Sequence, residues 1–464
     1  MKLNLYELKT RVDVFKRNMR DTFDNQDEAT RTQRTIITEN AMNNVAANLA
    51  GGNFFTGLLL FLNASTIQIG LVNIIAYVCN IAQLLAPLFI ERFETRKKLL
   101  VITRIIHHIS NIVLIGLLSI LPASESTRVY LILGVQAFIN LMSAFTSAGY
   151  SVWHIQSIPD RDRAHYFSLN QRITSTAAYI FMLLGSAIAD QFRGTPNEIT
   201  GYLILRSVAI LFAIADVYFL SRIKEYPYPK SEHKVNLKMI LTEPLKAKRY
   251  RVSLLVIVLW NTLATTCGSY YSVYILDTVK ASYTFLNICS ALYTPFLLVL
   301  APIWARYINR TSWFSVYWKA VIVYGIFYLL HPFVTVNNYL WMYPLVQVLL
   351  FTLSPAINLF HSNLAYYNIP QENQTIYLSF YSTIANVAAI IGNLFATQFM
   401  LHTEGVNFNL FGIPMQPGQF LPLITGFLII LIGVIVFFIN KNEERIKKEE
   451  EAAREPVGEY DGPF

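Results

Sequence analysis

Gln136, Asn140, Ser143, Ser147, Tyr150 and His154 stand at helical spacing inside a long apolar run. At about 100° per residue they occupy an arc of roughly 80°. Such side chains donate and accept hydrogen bonds, and most do so without charge. The stripe recurs: Gln347, Ser354, Asn358 and His361 lie 211 residues after Gln136, Ser143, Ser147 and Tyr150. Polar groups in hydrocarbon are costly unless they face protein or water. The stripe therefore reads as the wall of an aqueous cavity. Hydrogen bonding between packed helices is the alternative, because Ser and Asn also serve as packing contacts.

Other apolar runs carry the same chemistry. Asn40, Asn43, Asn44 and Asn48 recur with Glu39 beside them, and Asn40, Asn44 and Asn48 share one face while Asn53 points elsewhere. Asn261, Thr262, Thr265 and Thr266 precede Tyr270, Tyr271 and Tyr274; Asn73, Asn80, Gln83, Asn386 and Asn393 add further amides. The candidate solute-binding residues are Asn44, Asn48, Gln136, Asn140, Ser143, Asn261, Thr265, Gln347, Ser354 and Asn358. Neutral amides and hydroxyls with aromatic faces suit an uncharged polar solute, such as a sugar or nucleoside. They also suit a drug-like amphipath.

The elements that must position these residues are membrane spans. Of the 464 residues 54% are hydrophobic and 14% charged, with mean hydropathy +0.40; soluble domains carry about 25% charged residues. Apolar stretches long enough to cross ~30 Å of hydrocarbon fall at 37–62, 66–90, 98–121, 128–153, 166–190, 200–221, 252–276, 282–305, 312–334, 338–362, 377–401 and 419–439. The 211-residue offset also relates Ile158, Pro159, Tyr166, Ser168, Ile173, Ala177, Ala178 and Ile180 to Ile369, Pro370, Tyr377, Ser379, Ile384, Ala388, Ala389 and Ile391. A repeat of this kind defines two similar halves, and two membrane halves can rock about a site between them.

The expected division is a cytoplasmic amphipathic segment at 1–36, six-helix bundles at 37–222 and 252–440, a linker at 223–251 and a charged tail at 441–464. Lys and Arg outside the spans crowd onto one side, which places both termini and the linker in the cytoplasm. The +8 formal charge is then a topology signal rather than a nucleic-acid surface. Leu5, Leu8, Val12, Phe15 and Met19 suggest a surface helix on the inner leaflet. Residues 1–35 are charged and show no cleavable leader. Cys79, Cys267 and Cys289 all lie inside spans and read as core residues. No phosphate-binding Gly-rich loop appears, and the 402–418 loop yields no functional reading.

A second repeated device follows spans two and eight: PLFIERFETRKK from Pro87 and PIWARYINR from Pro302. Arg92, Phe93 and Arg96 match Arg306, Tyr307 and Arg310 at an offset of 214. The layout resembles the signature loop of the major facilitator superfamily (MFS), as IPDRDRAHYF resembles the loop after span four of many such transporters. Pro87 and Glu91 stand where the family has Gly and Asp, Glu94 replaces its second Gly, and Ala305 replaces the acid in the other half. The resemblance implies the MFS fold: an all-α membrane protein of 12 transmembrane helices in two pseudo-twofold-related six-helix bundles. It also implies that spans one, four, seven and ten line the cavity, and that Glu91, Arg92, Arg96, Arg306 and Arg310 gate. A topology-setting basic cluster is the plainer reading of the same loop.

Ionisable residues within the spans are few. Glu39 and Asp216 lie near cytoplasmic ends, Asp190 and Asp277 near external ends, and Glu39 is the first choice for ion coupling. Arg104 and Lys319 stand at corresponding repeat positions about a turn and a half into their spans, where snorkelling accounts for both. His107 and His108, with Asn111, could form a relay or metal pair, but neighbours on a helix point about 100° apart, and the resemblance makes span three a support helix. No metal spacing or catalytic constellation is present.

The expectation is a plasma-membrane secondary transporter working by alternating access. It would be a monomer that is no enzyme, needs no cofactor, binds no nucleic acid, and takes a small solute and a coupling proton or Na+. Drug-like efflux and a non-transporting receptor or scaffold on the same fold are the alternatives.

Overall fold

A computed structural model of the chain describes residues 28–86, 95–156, 163–225, 237–247, 250–364, 374–406, 408–410 and 412–454. Among these, eleven helical segments are long and apolar enough to cross a membrane. The first expected span is helical too but broken: α1 (Glu28–Ala50) passes into α2 (Gly52–Phe61) at Gly51, where the backbone is extended, and Gly52 takes φ +55°. A Gly pair is a common cause of a sharp kink, and the conformation at Gly52 is one that a side chain disfavours.

The chain divides into two compact units. One is Met1–Val235 with Ile275–Ala291; the other is Asn236–Tyr274 with Leu292–Phe464. The first unit holds α1, α2 and α3 (Thr66–Ile81), the last extended by a 3-10 turn to Leu85. Next come α4 (Lys97–His108), a π-helical turn (Ile109–Leu114) and α5 (Ile115–Ser119), together span three. α6 (Glu125–Gln156), α7 (Arg163–Phe192) and α8 (Glu198–Arg222) complete the six.

In the linker, Leu237–Lys246 forms a short helix, α9. Span seven is α10 (Tyr250–Ala264), α11 (Gly268–Val273) and a π-helical turn (Tyr274–Thr278); span eight is α12 (Tyr283–Ala291) and α13 (Tyr293–Arg310). α14 (Trp313–Tyr328), α15 (Tyr339–Leu364), α16 (Gln374–His402) and α17 (Pro417–Arg454) follow. The 402–418 loop contains a two-stranded antiparallel hairpin, Phe408–Leu410 with Ile413–Met415, whose Phe408 stacks on Phe399 and Phe420.

Local chemistry explains several of the helix starts. The Ser65 hydroxyl accepts from Gln68 N while the Gln68 side chain accepts from Ser65 N, a reciprocal cap for α3. Ser312 caps α14 by accepting from Ser315 N. At α12, Ser282 Oγ accepts from Phe285 N, and Asp190 of α7 accepts from Tyr283 N and Thr284 N at 2.7 and 2.8 Å. Three orphan amides of that helix are thereby satisfied.

The cores of the two units differ. Ile36, Ile37, Leu100, Trp153, Tyr166, Leu169, Leu220 and Ile223 cluster in the first. The second packs a larger set that includes Tyr250, Phe314, Tyr317, Phe360, Tyr377 and Tyr381.

Candidate functional site

The polar stripe of span four falls on a distinctive side of α6. Leu131, Phe138 and Leu141 are exposed, as lipid-facing residues should be. At about 100° per residue, Gln136, Asn140 and Ser143 centre roughly 180° away from them. Those three are half-buried and Ser147 is exposed. Asn140 Nδ2 donates to the Gln136 carbonyl at 2.8 Å, so part of its capacity is spent within the helix. In α15, Gln347 and Ser354 are half-buried; Ser354 donates to the Leu350 carbonyl, and Asn358 donates to Tyr293 Oη at 2.7 Å.

Asn44 is exposed and accepts from Asn48 Nδ2 at 3.0 Å, so these two meet on one face of α1. Asn40 donates to Asn170 Oδ1 and Tyr166 Oη. Asn53 lies elsewhere and donates to Asn287, which donates to Ser186. On α10, Asn261 donates to the Ile257 carbonyl. Thr265 donates to the carbonyls of Asn261 and Ala389. There the helices approach closely: a Cβ on Gly392 would sit 1.8 Å from the Thr262 carbonyl oxygen. Thr265 therefore works in packing between α10 and α16.

Sequence spacing did not reveal a buried ionic cluster in the first unit. Glu39 and Asp216 are both 0% exposed. Arg104 Nη2 donates to Glu39 Oε1 at 3.0 Å, and its Nε is 3.6 Å from Asp216 Oδ2. His108 Nε2 lies 2.6 Å from the same Asp216 oxygen, and His154 Nε2 lies 3.7 Å from Glu39 Oε2. The Arg104 guanidinium sits 4.4 Å from the Tyr150 ring centroid, an arrangement that favours a cation. Tyr150 Oη in turn donates to the Leu100 carbonyl at 2.6 Å.

Snorkelling is thus corrected for Arg104, because two carboxylates draw it inward. Lys319 remains exposed, beside the Trp318 ring. A signal was available in the sequence: Glu39, Arg104 and Asp216 each lie about a turn and a half from the Lys/Arg-rich ends of their spans, at similar depth. Periodicity within a single helix cannot pair residues from spans one, three and six.

Next to the cluster, the π-helical turn of span three frees backbone carbonyls. The buried Arg206 of α8 donates to two of them, Asn111 at 2.6 Å and Ile112 at 3.3 Å. Among the described residues, no group of three His, Cys, Asp or Glu side chains could hold a metal ion.

Of the gating candidates, Glu91 and Arg92 lie outside the described residues, as do the 1–27 surface segment and the Pro159 and Pro370 loops. Arg96 marks the start of α4, where the Glu225 carboxylate accepts from Arg96 N and from Lys97 N, and Lys97 Nζ donates to the Ile223 carbonyl at 2.7 Å. A carboxylate at that terminus is favoured by the helix dipole. Arg306 and Arg310 are exposed in the last turns of α13, where cations are likewise favoured.

The opposite end of the first unit is built differently. Arg193 donates to the carbonyls of Leu276 and Ala281, and Tyr202 Oη and Tyr283 Oη lie 2.9 Å apart. With the Asp190 cap, these contacts fasten residues 276–284 to α7 and α8. A pocket of about 500 Å3 lies beside them, lined in part by Asp190, Arg193, Glu198, Asp277 and Lys280.

No curated protein matches the sequence. Among solved structures, the chain is similar to a mutant of the nucleoside transporter NupG, with TM-score 0.65 and 11% identity over 88% of this chain and 99% of that one. It is similar to a bacterial metal transporter, with TM-score 0.63 and 13% identity over 88% and 98%. A D-xylose-proton symporter gives TM-score 0.61 and 12% identity over 87% and 96%. Identities this low speak for the fold alone. The model of the Major Facilitator Superfamily matches residues 41–393, most of the sequence, and the chain belongs to that family.

Proposed function

We propose that this multi-pass membrane transporter is a secondary carrier that moves a small neutral polar solute, such as a sugar or nucleoside, by alternating access. The observation that carries this reading is the face of α6 bearing Gln136, Asn140 and Ser143. It is half-buried, it is turned away from the exposed apolar face, and it holds no formal charge. The bundles at 37–222 and 252–440 each contribute such a face in this reading, through Asn44 and Asn48 in one and Asn261, Gln347, Ser354 and Asn358 in the other. Thr265 is the weakest member, since Gly392 packing accounts for it.

In this reading the transporter sits in the plasma membrane, and the Lys/Arg distribution supports cytoplasmic termini. Glu91, Arg92, Arg96, Arg306 and Arg310 bias its conformational equilibrium from the cytoplasmic side, and Glu39 belongs to the coupling machinery.

Single cysteines at Gln136, Asn140, Gln347 and Asn358 should react with water-soluble thiol reagents, and a bound solute should protect them. The solute comes from a thermal-stabilisation screen over sugars, nucleosides, amino acids and drugs. Uniform inertness of the four positions would remove the cavity. Stabilisation by amphipathic drugs alone would replace the polar-solute reading.

A further inference from the structure

The polar stripe of α15 carries rings that its counterpart in α6 lacks. Gln347, Phe351, Ser354 and Asn358 follow one another at intervals of four, three and four residues, which sets them on one face. At about 100° per residue that face centres roughly 150° from Leu345, which is exposed as a lipid-facing residue should be. Asn358 is nevertheless exposed, and Gln347 is half-buried. The Gln347 amide has no hydrogen-bond partner among the described residues.

Three half-buried rings surround this face. Tyr293 Oη accepts from Asn358 Nδ2 at 2.7 Å, and the Tyr293 ring lies 5.3 Å from Phe351 at 60°. Phe296 lies 6.3 Å from Phe351 on the same helix as Tyr293. The first unit has none of these rings. The 211 offset sets Asn140 against Phe351, and the 214 offset sets Cys79 and Ala82 against Tyr293 and Phe296.

An aromatic face beside planar amides matches a particular kind of solute. The face stacks on a flat ring. A carboxamide donates and accepts in one plane, so it pairs with a ring edge that sets an acceptor next to a donor. A free sugar has hydroxyls but no flat ring. A nucleotide would need a cation for its phosphate, and α15 has no Lys, Arg, Asp or Glu from Tyr339 to Leu364.

We propose that Gln347, Phe351, Asn358, Tyr293 and Phe296 form a subsite for a planar nitrogen heterocycle of nucleobase type, taken as the free base or as its neutral nucleoside. The ring stacks on Phe351, and its polar edge meets the amides of Gln347 and Asn358. This rests on the transporter reading for its cargo and narrows that cargo from neutral polar solutes at large.

The test is equilibrium binding of tritiated adenine, uracil, adenosine, uridine, ribose and glucose to full-length protein in nanodiscs. A base or a nucleoside should saturate a site, and the two sugars should not. Equal affinity for base and nucleoside would support recognition by the ring alone; a tighter nucleoside would support it with added contacts to the ribose. Phe351→Leu should raise Kd about tenfold, while Phe351→Tyr keeps the ring and should stay near wild type. Asn358→Ser should change the ratio of adenosine to uridine affinity, which a loss of packing alone would not do. Should Phe351→Leu fail to fold, Gln347→Leu reads the same subsite. Heterocycle affinity unchanged in both Phe351→Leu and Gln347→Leu overturns the proposal, as does wild type that binds none of the six. Binding of ribose or glucose without any heterocycle overturns it too and leaves the neutral-solute carrier standing. That carrier falls instead with unreactive cysteines at Gln136, Asn140, Gln347 and Asn358.

Discussion

The two units repeat one plan but bury different chemistry. At the position of Tyr150, which lies under the Arg104 guanidinium, the second unit has His361. His361 Nε2 is 3.0 Å from Tyr317 Oη, and its ring lies 5.0 Å from Trp260. Tyr317 stacks on Phe360 at 3.8 Å and 11°. Where Tyr166 bonds Asn40, its repeat partner Tyr377 meets the Tyr250 ring edge-on and its carbonyl accepts from Tyr250 Oη. Among the described residues, no Asp, Glu, Lys or Arg of the second unit is buried, whereas Glu39, Arg206 and Asp216 are buried in the first. In the aromatic core the hydroxyls of Tyr250 and Tyr317 have hydrogen-bond partners, while that of Tyr381 has none. In the first unit Arg104 is shared by Glu39 and Asp216, with His108 and His154 beside the two carboxylates. One unit thus buries charges where the other buries rings.

The sharpest way to break this comparison is to remove the cation. Arg104→Gln leaves Glu39 and Asp216 buried without their partner and should cost about 3–5 kcal/mol, the usual penalty for stranding a buried charge. Thermal unfolding of the purified protein in detergent reads it directly. A loss under about 1 kcal/mol would mean the cluster behaves like a surface pair.

A smaller effect is expected in the aromatic unit. Tyr317→Phe keeps the stack on Phe360 and removes only the contact with His361, which should cost about 0.5–1.5 kcal/mol. If the same unfolding measurement gave a loss equal to that of Arg104→Gln, the two cores would not differ in kind.

Lys319→Gln should do least. Although Lys319 corresponds to Arg104 in the repeat, it is exposed, and its replacement should stay within about 0.5 kcal/mol. A large loss would show that both units hold a cation in their interior.

Much of the architecture was legible in the sequence because hydrocarbon imposes a simple code. Spans must be apolar and about 20 residues long, and eleven of the twelve are long and apolar enough to cross a membrane among the described residues. The first was found but not its break, since Gly51–Gly52 reads like any small pair until φ is known. The α6 stripe was legible because helical period alone sets which residues share a face. The ionic cluster was not: Arg104 beside Lys319 suggested two snorkelling cations, and only packing against α1 and α8 separates them. Asp190 and Asp277 looked equivalent, yet Asp190 caps α12 while Asp277 is exposed at the pocket.

Hydropathy, the repeat and the loop motifs therefore determined by themselves that this is a two-part helical membrane protein of transporter type. These are properties of short stretches, set by solvent and helical period. Which charges meet inside the first unit, and that the second replaces them with rings, was decided by tertiary structure. Contacts between side chains on different helices, such as Glu39 with Arg104 or Tyr317 with His361, depend on helix rotation and register, which no local pattern encodes.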